Sequence, residues 1–280
     1  CLVILQSNNT GYTYGKNDIR ILKNRAIEAD ESEDDKNCLK RDKKTNKCLN
    51  CVSNYYLVDE ICKPYSFMAT YFSDSKDKEI QLINEPYRFY IVEMYMNNTK
   101  IDTKTSYKFS SVGNHTIYFY MNISSIASLG AMFSKIEKMT SISFTPEFNT
   151  KNVKSMINMF SSCFLLTSID LSYFKTKSVT NMFNMFCDCT SLVSLNLSNF
   201  DTSNVQDMSS MFRNCSKLTE LDLSNFDTSN VLGMNNLFSG SFSLKSINLA
   251  NFDTSKVQSM VGMFSDCRSL TSINLASFDT

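Results

Sequence analysis

The sequence predicts a repeat solenoid carried behind two smaller modules, and three observations support this. From Phe148 to Thr280 the chain repeats itself every 26 residues, with Phe148, Phe174, Phe200, Phe226, Phe252 and Phe278 on one register. Four cysteines are crowded into residues 38–64, and aromatic and β-branched runs separated by polar turns fill residues 65–125. Self-similarity at a fixed period of roughly 20 to 50 residues is the mark of stacked repeat units. The expected division is an N-terminal segment 1–37, a disulfide module 38–64, a small β-sandwich-like domain 65–125 and the solenoid 126–280. The solenoid opens with a degenerate cap at 126–147 and is expected to continue beyond 280.

Residues 1–37 are poorly patterned, and the acidic run Glu28 to Asp35 reads as solvated linker. The opening Cys1-Leu2-Val3-Ile4-Leu5 fits the tail of a signal peptide, a lipid-bearing cysteine or a plain first strand. Cys38, Cys48, Cys51 and Cys62 follow in a polar, turn-rich stretch too short to build a core, so covalent bridges must hold it. The close pair Cys48 and Cys51 would also suit zinc, but His115 is the only histidine and lies far along the chain. Disulfides are the preferred reading, with zinc and free thiols as alternatives. The string NKCLNCVSNYYLVDEICKP resembles the furin-like or growth-factor-receptor-type modules of protist surface proteins. That resemblance implies the pairing Cys38–Cys51 with Cys48–Cys62.

Strands are predicted at Phe67–Phe72, Glu79–Ile83, Arg88–Met96, Ser106–Ser110 and Thr116–Met121. The string YKFSSVGNHTIYFYM resembles the last hairpin of a PKD-like or immunoglobulin-like sandwich, with Gly113 at its turn.

Within one repeat, Leu192, Leu195 and Leu197 end in the alternation of a half-buried strand. Asp201-Thr202-Ser203 supplies turn and N-cap chemistry. Val205, Met208, Met211, Phe212 and Cys215 then recur at steps of three and four, which predicts a short α- or 3₁₀-helix. Each coil is therefore expected to be one parallel strand plus one short helix. Neighbouring strands would sit roughly 4.8 Å apart, with like residues in ladders. LTELDLSNFDTSNV followed by MSSMFRNCSKL resembles the BspA-like leucine-rich-repeat surface proteins. The resemblance implies a cell-surface adhesion or interaction role, with matrix proteins among the ligands of its members.

Composition narrows the function classes. The 28 basic and 28 acidic residues cancel, so no global field favours nucleic acid. No uninterrupted apolar run reaches the roughly 18 residues of a membrane-spanning helix. Glycine-rich phosphate loops, metalloprotease helices and EF-hand patterns are missing, so no enzyme class and no cofactor is expected. The cysteine column Cys163, Cys189, Cys215 and Cys267 accepts Ser241 and reads as small buried filler, with Cys187 as an extra thiol. The methionine columns read as core.

The candidate binding face is a pair of polar columns on the strands. One comprises Asp170, Asn196, Asp222, Asn248 and Asn274; the other comprises Ser168, Ser194, Glu220, Ser246 and Ser272. Their expected partners are proteins or glycans at a cell surface or in a matrix. Self-association into a filament is the second expectation, raised by the chain stopping in mid-motif. The sequons at Asn8, Asn97, Asn114 and Asn122 suggest a secreted glycoprotein, of a protist rather than a bacterium.

Overall fold

A computed structural model describes residues 37–52, 55–58 and 61–279. The chain divides into a small unit ending at Cys62 and a larger one beginning at Lys63. In the small unit, β1 (Cys38–Arg41) and β2 (Cys48–Cys51) form an antiparallel hairpin, while β3 (Tyr55–Val58) pairs with β4 (Ile61–Pro64). Asp42 shapes the β1–β2 turn, because its Oδ1 accepts from the backbone of Lys44 and Thr45 and from the Thr45 hydroxyl.

The larger unit opens with β5 (Phe67–Ser73), β6 (Glu79–Gln81), a 3₁₀ helix at Glu85–Tyr90, β7 (Ile91–Met96), β8 (Thr99–Ile101), β9 (Ser106–Lys108) and β10 (Gly113–Met121). It continues with β11 (Met139–Phe144), β12 (Ser168–Asp170), β13 (Glu220–Asp222) and β14 (Ser246–Asn248). Six strands make one sheet in the order β12-β11-β5-β10-β7-β8. Strands β11 and β12 pair in parallel; the other pairs of this sheet are antiparallel. Its β7–β8 turn places Asn97 and Asn98 at φ 50° and 62°, the left-handed pair that a two-residue hairpin turn requires.

Alternation along β5 buries Phe67, Ala69 and Tyr71 on one side. Phe67 stacks on Phe119 at 4.5 Å between ring centroids and meets Phe133 and Phe148 edge-on at 5.3 and 5.7 Å. The boundary expected at 125/126 therefore falls inside a shared sheet and a shared core. No separate sandwich stands ahead of the repeats. The hairpin expected around Gly113 is also corrected, since β9 pairs with β6 while β10 lies between β5 and β7.

The leucine-rich-repeat-like solenoid of strand-plus-helix coils is not the fold. Among the described residues the strands are short and lie in small mixed, parallel and antiparallel sheets, and the only helix is the 3₁₀ turn at Glu85–Tyr90. Where helices were expected there are linked turns. In the coil at 182–189, the N–H groups of Met185, Cys187 and Cys189 each bond the carbonyl three residues back. The alternate N–H groups, of Met182, Asn184, Phe186 and Asp188, leave the coil and bond the carbonyls of Asp207, Ser209, Met211 and Arg213.

The cause is a pair of left-handed residues four apart in each turn run. Asn158 and Ser162, Asn184 and Asp188, Ser210 and Asn214, and Asn236 and Gly240 all have φ between 53° and 73°. An α-helix cannot pass through such residues, and for most side chains the conformation costs about 1–2 kcal/mol. Asn, Asp and Gly carry it most easily, which explains six of these eight positions, Ser162 and Ser210 being the other two. At Gly240 a Cβ would lie 2.0 Å from Asn214 Oδ1, so a side chain there requires the Asn214 amide to move.

The turn runs still put apolar residues inside. Phe160, Phe186, Phe212 and Phe238 stack in sequence at 5.7, 6.0 and 5.7 Å with nearly parallel rings. Phe174 and Phe200 stack at 6.4 Å, and Phe252 and Phe278 at 6.2 Å. A column of threonines, all but buried, ties the layers together. Thr176 Oγ1 donates to Asp201 O at 2.9 Å and accepts from Asp201 N at 2.8 Å, and Thr150 does the same with Lys175.

Candidate functional site

Strand pairing assembles the candidate face. Ser168 lies beside Ser141, Ser141 beside Thr70, and Thr70 beside Thr116, so the serine column runs into a row of hydroxyls across the sheet. The Thr70 and Thr116 hydroxyls bond at 2.8 Å. Two residues along, Asp170 lies beside Ser143, then Met68, Tyr118 and Tyr95. The side-chain period of two puts both rows on one face, the opposite one to the core of Phe67 and Ile117. Tyr118 meets Tyr65 edge-on at 5.2 Å, and burial, with Tyr118 and Tyr173 adding to it, pushes the Tyr65 hydroxyl above its ordinary value.

Away from the sheet, β13 pairs with β14 so that Glu220 lies beside Ser246 and Asp222 beside Asn248. All ten residues of the two columns are exposed, including Ser194, Asn196, Ser272 and Asn274. The columns differ in what else they do. Asp170, Asn196, Asp222, Asn248 and Asn274 each use Oδ1 to accept the backbone N–H two residues on, at 3.0–3.2 Å. Each is an Asx turn that starts the next bend, which is why Asp and Asn alternate freely there. The Ser224 backbone N–H, and then its hydroxyl, hold the Asp222 carboxyl below the usual range. The serine column has no such local duty, so it is the cleaner place to probe recognition.

The four candidate cysteines form disulfides, but not in the implied pairing. The bonds are Cys38–Cys48 and Cys51–Cys62, with Cα separations of 5.8 and 5.6 Å. Cys38 faces Cys51 across the hairpin, and Cys48 Sγ lies 3.4 Å from Cys62 Sγ, so the sulfurs share one cluster. Two register shifts within β1 carry Cys48 into reach of Cys38. Sulfurs engaged in disulfides are not the thiolates a zinc ion needs, so the one group of candidate metal ligands among the described residues, Cys38, Cys48 and Cys62, is accounted for.

Sequence reasoning missed the duty of the repeat cysteines. Cys163, Cys189 and Cys215 are buried free thiols, and each donates to the carbonyl of Phe133, Phe160 or Phe186 at 3.1–3.3 Å. Ser241 does the same to Phe212 O at 3.0 Å. The slot therefore needs a small donor rather than mere filler, and the Cys-to-Ser exchange was the signal. Burial pushes the Cys163 thiol up to about 12, outside the range of nucleophilic cysteines. His115 stacks on Phe109 at 4.2 Å, with Nε2 2.9 Å from Ser111 O, which is a packing role.

Asn97, Asn114 and Asn122 are exposed, and Asn8 lies outside the described residues. No described helix is long and apolar enough to cross a membrane.

The fold and face together define a turn-stacked, disulfide-bearing protein with two exposed columns of polar residues. A family model matches residues 91–196 and again 191–280, and the chain belongs to that family, described as a Mycoplasma protein of unknown function, DUF285. No curated protein and no solved structure matches the chain. The family and the disulfides are compatible with an extracellular location. The description names Mycoplasma, so the protist source expected from the sequons finds no support.

Proposed function

We propose that this is a non-catalytic surface or secreted protein that adheres to protein or glycan partners through the face carrying Ser168, Ser194, Glu220, Ser246 and Ser272 beside the Asx column. The observation behind this reading is that all ten residues of the two columns are exposed. At the β12 end, exposed Ser168 and Asp170 lead into the part-buried hydroxyls of Ser141, Thr70 and Thr116 and on to Tyr118 in the six-stranded sheet. Such a surface is long, shallow and stiff, because each layer is bonded to the next by backbone and threonine hydrogen bonds. A rigid array loses little conformational freedom on binding an extended partner. Tyrosine at one end adds area with a polar tip, as in many interfaces.

The test is a solid-phase binding assay with host cells, matrix proteins and glycans, comparing the native chain with a Ser194→Arg/Ser246→Arg double variant. These substitutions crowd the face and leave every Asx turn in place. Retention with the native chain and its loss in the variant is the expected result. Equal binding by both proteins, or none by either, refutes the proposal.

A further inference from the structure

A second column of Asx and Ser residues crosses the stack where each turn run begins. Ser155, Asn181, Asp207, Gly233 and Ser259 pair in succession through parallel bridges. At one layer the side chain is missing. A notch of about 410 Å³ includes Gly233 in its wall and is otherwise lined by Asn181, Gln206, Asp207, Ser209, Asn235 and Gln258, together with Ser259 and Leu232. That volume lies within the range of small-molecule sites.

The walls are held in place. Asn181 and Asp207 each use Oδ1 to accept the N–H two residues on, at 2.8 and 2.9 Å. Asn235 Oδ1 accepts from Val261 N at 2.9 Å and from the Ser259 hydroxyl. Those bonds leave the Asn181 and Asn235 amide NH₂ groups, the second Asp207 oxygen and both glutamine amides for a ligand.

The chemistry of this lining selects a ligand class. No lysine or arginine lines the notch, and Asp207 would repel an anion. A single carboxylate among neutral amides is too little charge for a divalent cation. Leu232 is the only aliphatic side chain there, so a hydrocarbon ligand is ruled out. Amides, a hydroxyl and one carboxylate, donating and accepting in turn, match groups that themselves do both. Those groups are the hydroxyls of a sugar, whose C–H face can lie against Leu232. We propose that the Gly233 notch binds a neutral saccharide. The inference does not depend on the adhesive face, which is a different set of residues.

Gly233→Ala is the direct probe. The Gly233 backbone is not left-handed, so alanine is conformationally allowed. Its Cβ would nevertheless stand 2.9 Å from Ser209 Oγ and 3.0 Å from Asp207 Oδ1, filling the floor of the notch. Asp207→Asn is the second probe. It keeps the Oδ1 acceptor for Ser209 N but removes the carboxylate. The measurement is saturation-transfer difference NMR of the whole chain with glucose, galactose, mannose and N-acetylglucosamine in turn, with urea midpoints recorded alongside. Transfer to the ring protons of at least one sugar is expected, weakened roughly tenfold by either substitution, which is the worth of one to two good hydrogen bonds. If Gly233→Ala fails to fold, Asp207→Asn decides. Absence of transfer to all four sugars, or transfer unchanged in the folded variants, overturns the proposal.

Discussion

Replacing Thr176 with valine removes one oxygen from a position that is 1% exposed and changes almost nothing else about the side chain. That oxygen makes two bonds to one residue of the next layer, donating to Asp201 O at 2.9 Å and accepting from Asp201 N at 2.8 Å. Each bond contributes about 0.5–1.5 kcal/mol net, and a buried backbone group left without a partner costs about 1–3 kcal/mol. The added methyl returns about 0.8 kcal/mol. The variant should therefore lose about 2–4 kcal/mol, read as a fall in the urea midpoint followed by far-ultraviolet circular dichroism. Thr180→Val is the control, because Thr180 is exposed and bonds only Lys154 O at 3.2 Å. It should change stability by less than about 0.5 kcal/mol. If Thr176→Val costs no more than Thr180→Val, the threonine column does not join the layers and the reasoning fails.

Cys215→Ser should cost less than Cys215→Ala in the same assay, because serine keeps the donor that Phe186 O accepts and Ser241 already fills the equivalent slot. Raising pH should weaken the fold through Cys163. Its folded value of about 12 lies above its ordinary one, so its contribution is complete below about pH 9 and is lost as pH climbs toward 12. One such group contributes roughly 1.4 kcal/mol per pH unit, and because burial raises Cys187, Cys189 and Cys215 too, Cys163→Ser should reduce the slope by about that amount without abolishing it. Reduction with dithiothreitol should unfold residues 37–62 while leaving the circular dichroism of the rest nearly unchanged. The two bridges close segments of 10 and 11 residues, worth about 2–3 kcal/mol each.

The repeat was legible because period alone carries it. Phe160 and Phe186 announce their stacking by lying 26 residues apart with the same neighbours. The local conformation was not legible from apolar spacing. Steps of three and four, as in Val205, Met208, Met211, Phe212 and Cys215, suit a helix, but they also suit linked turns in which every third or fourth residue faces inward. The discriminating signal was the column of Asn, Asp, Ser and Gly between the apolar positions, which marks left-handed backbone. The Asx column carries a structural duty that its residue types alone did not reveal. Besides being exposed, each of its residues accepts an N–H two residues on. The disulfide pairing depends on register shifts within β1, which no spacing of cysteines encodes. Residues 65–125 were recognisable as strands, but their pairing with β11 was hidden because Met139–Phe144 reads as one more repeat.

The most direct measurement concerns Asn184, at φ 56° in the turn run between Met182 and Cys189. Thermal unfolding of Asn184→Gly and Asn184→Ala separates left-handed turns from a helix by sign, because glycine suits the first and alanine the second. Layers joined by turns predict that the glycine variant is at least as stable as the parent and the alanine variant weaker by about 1 kcal/mol. A more stable alanine variant, with glycine the weaker of the two, would put a helix at this position and contradict the architecture described above.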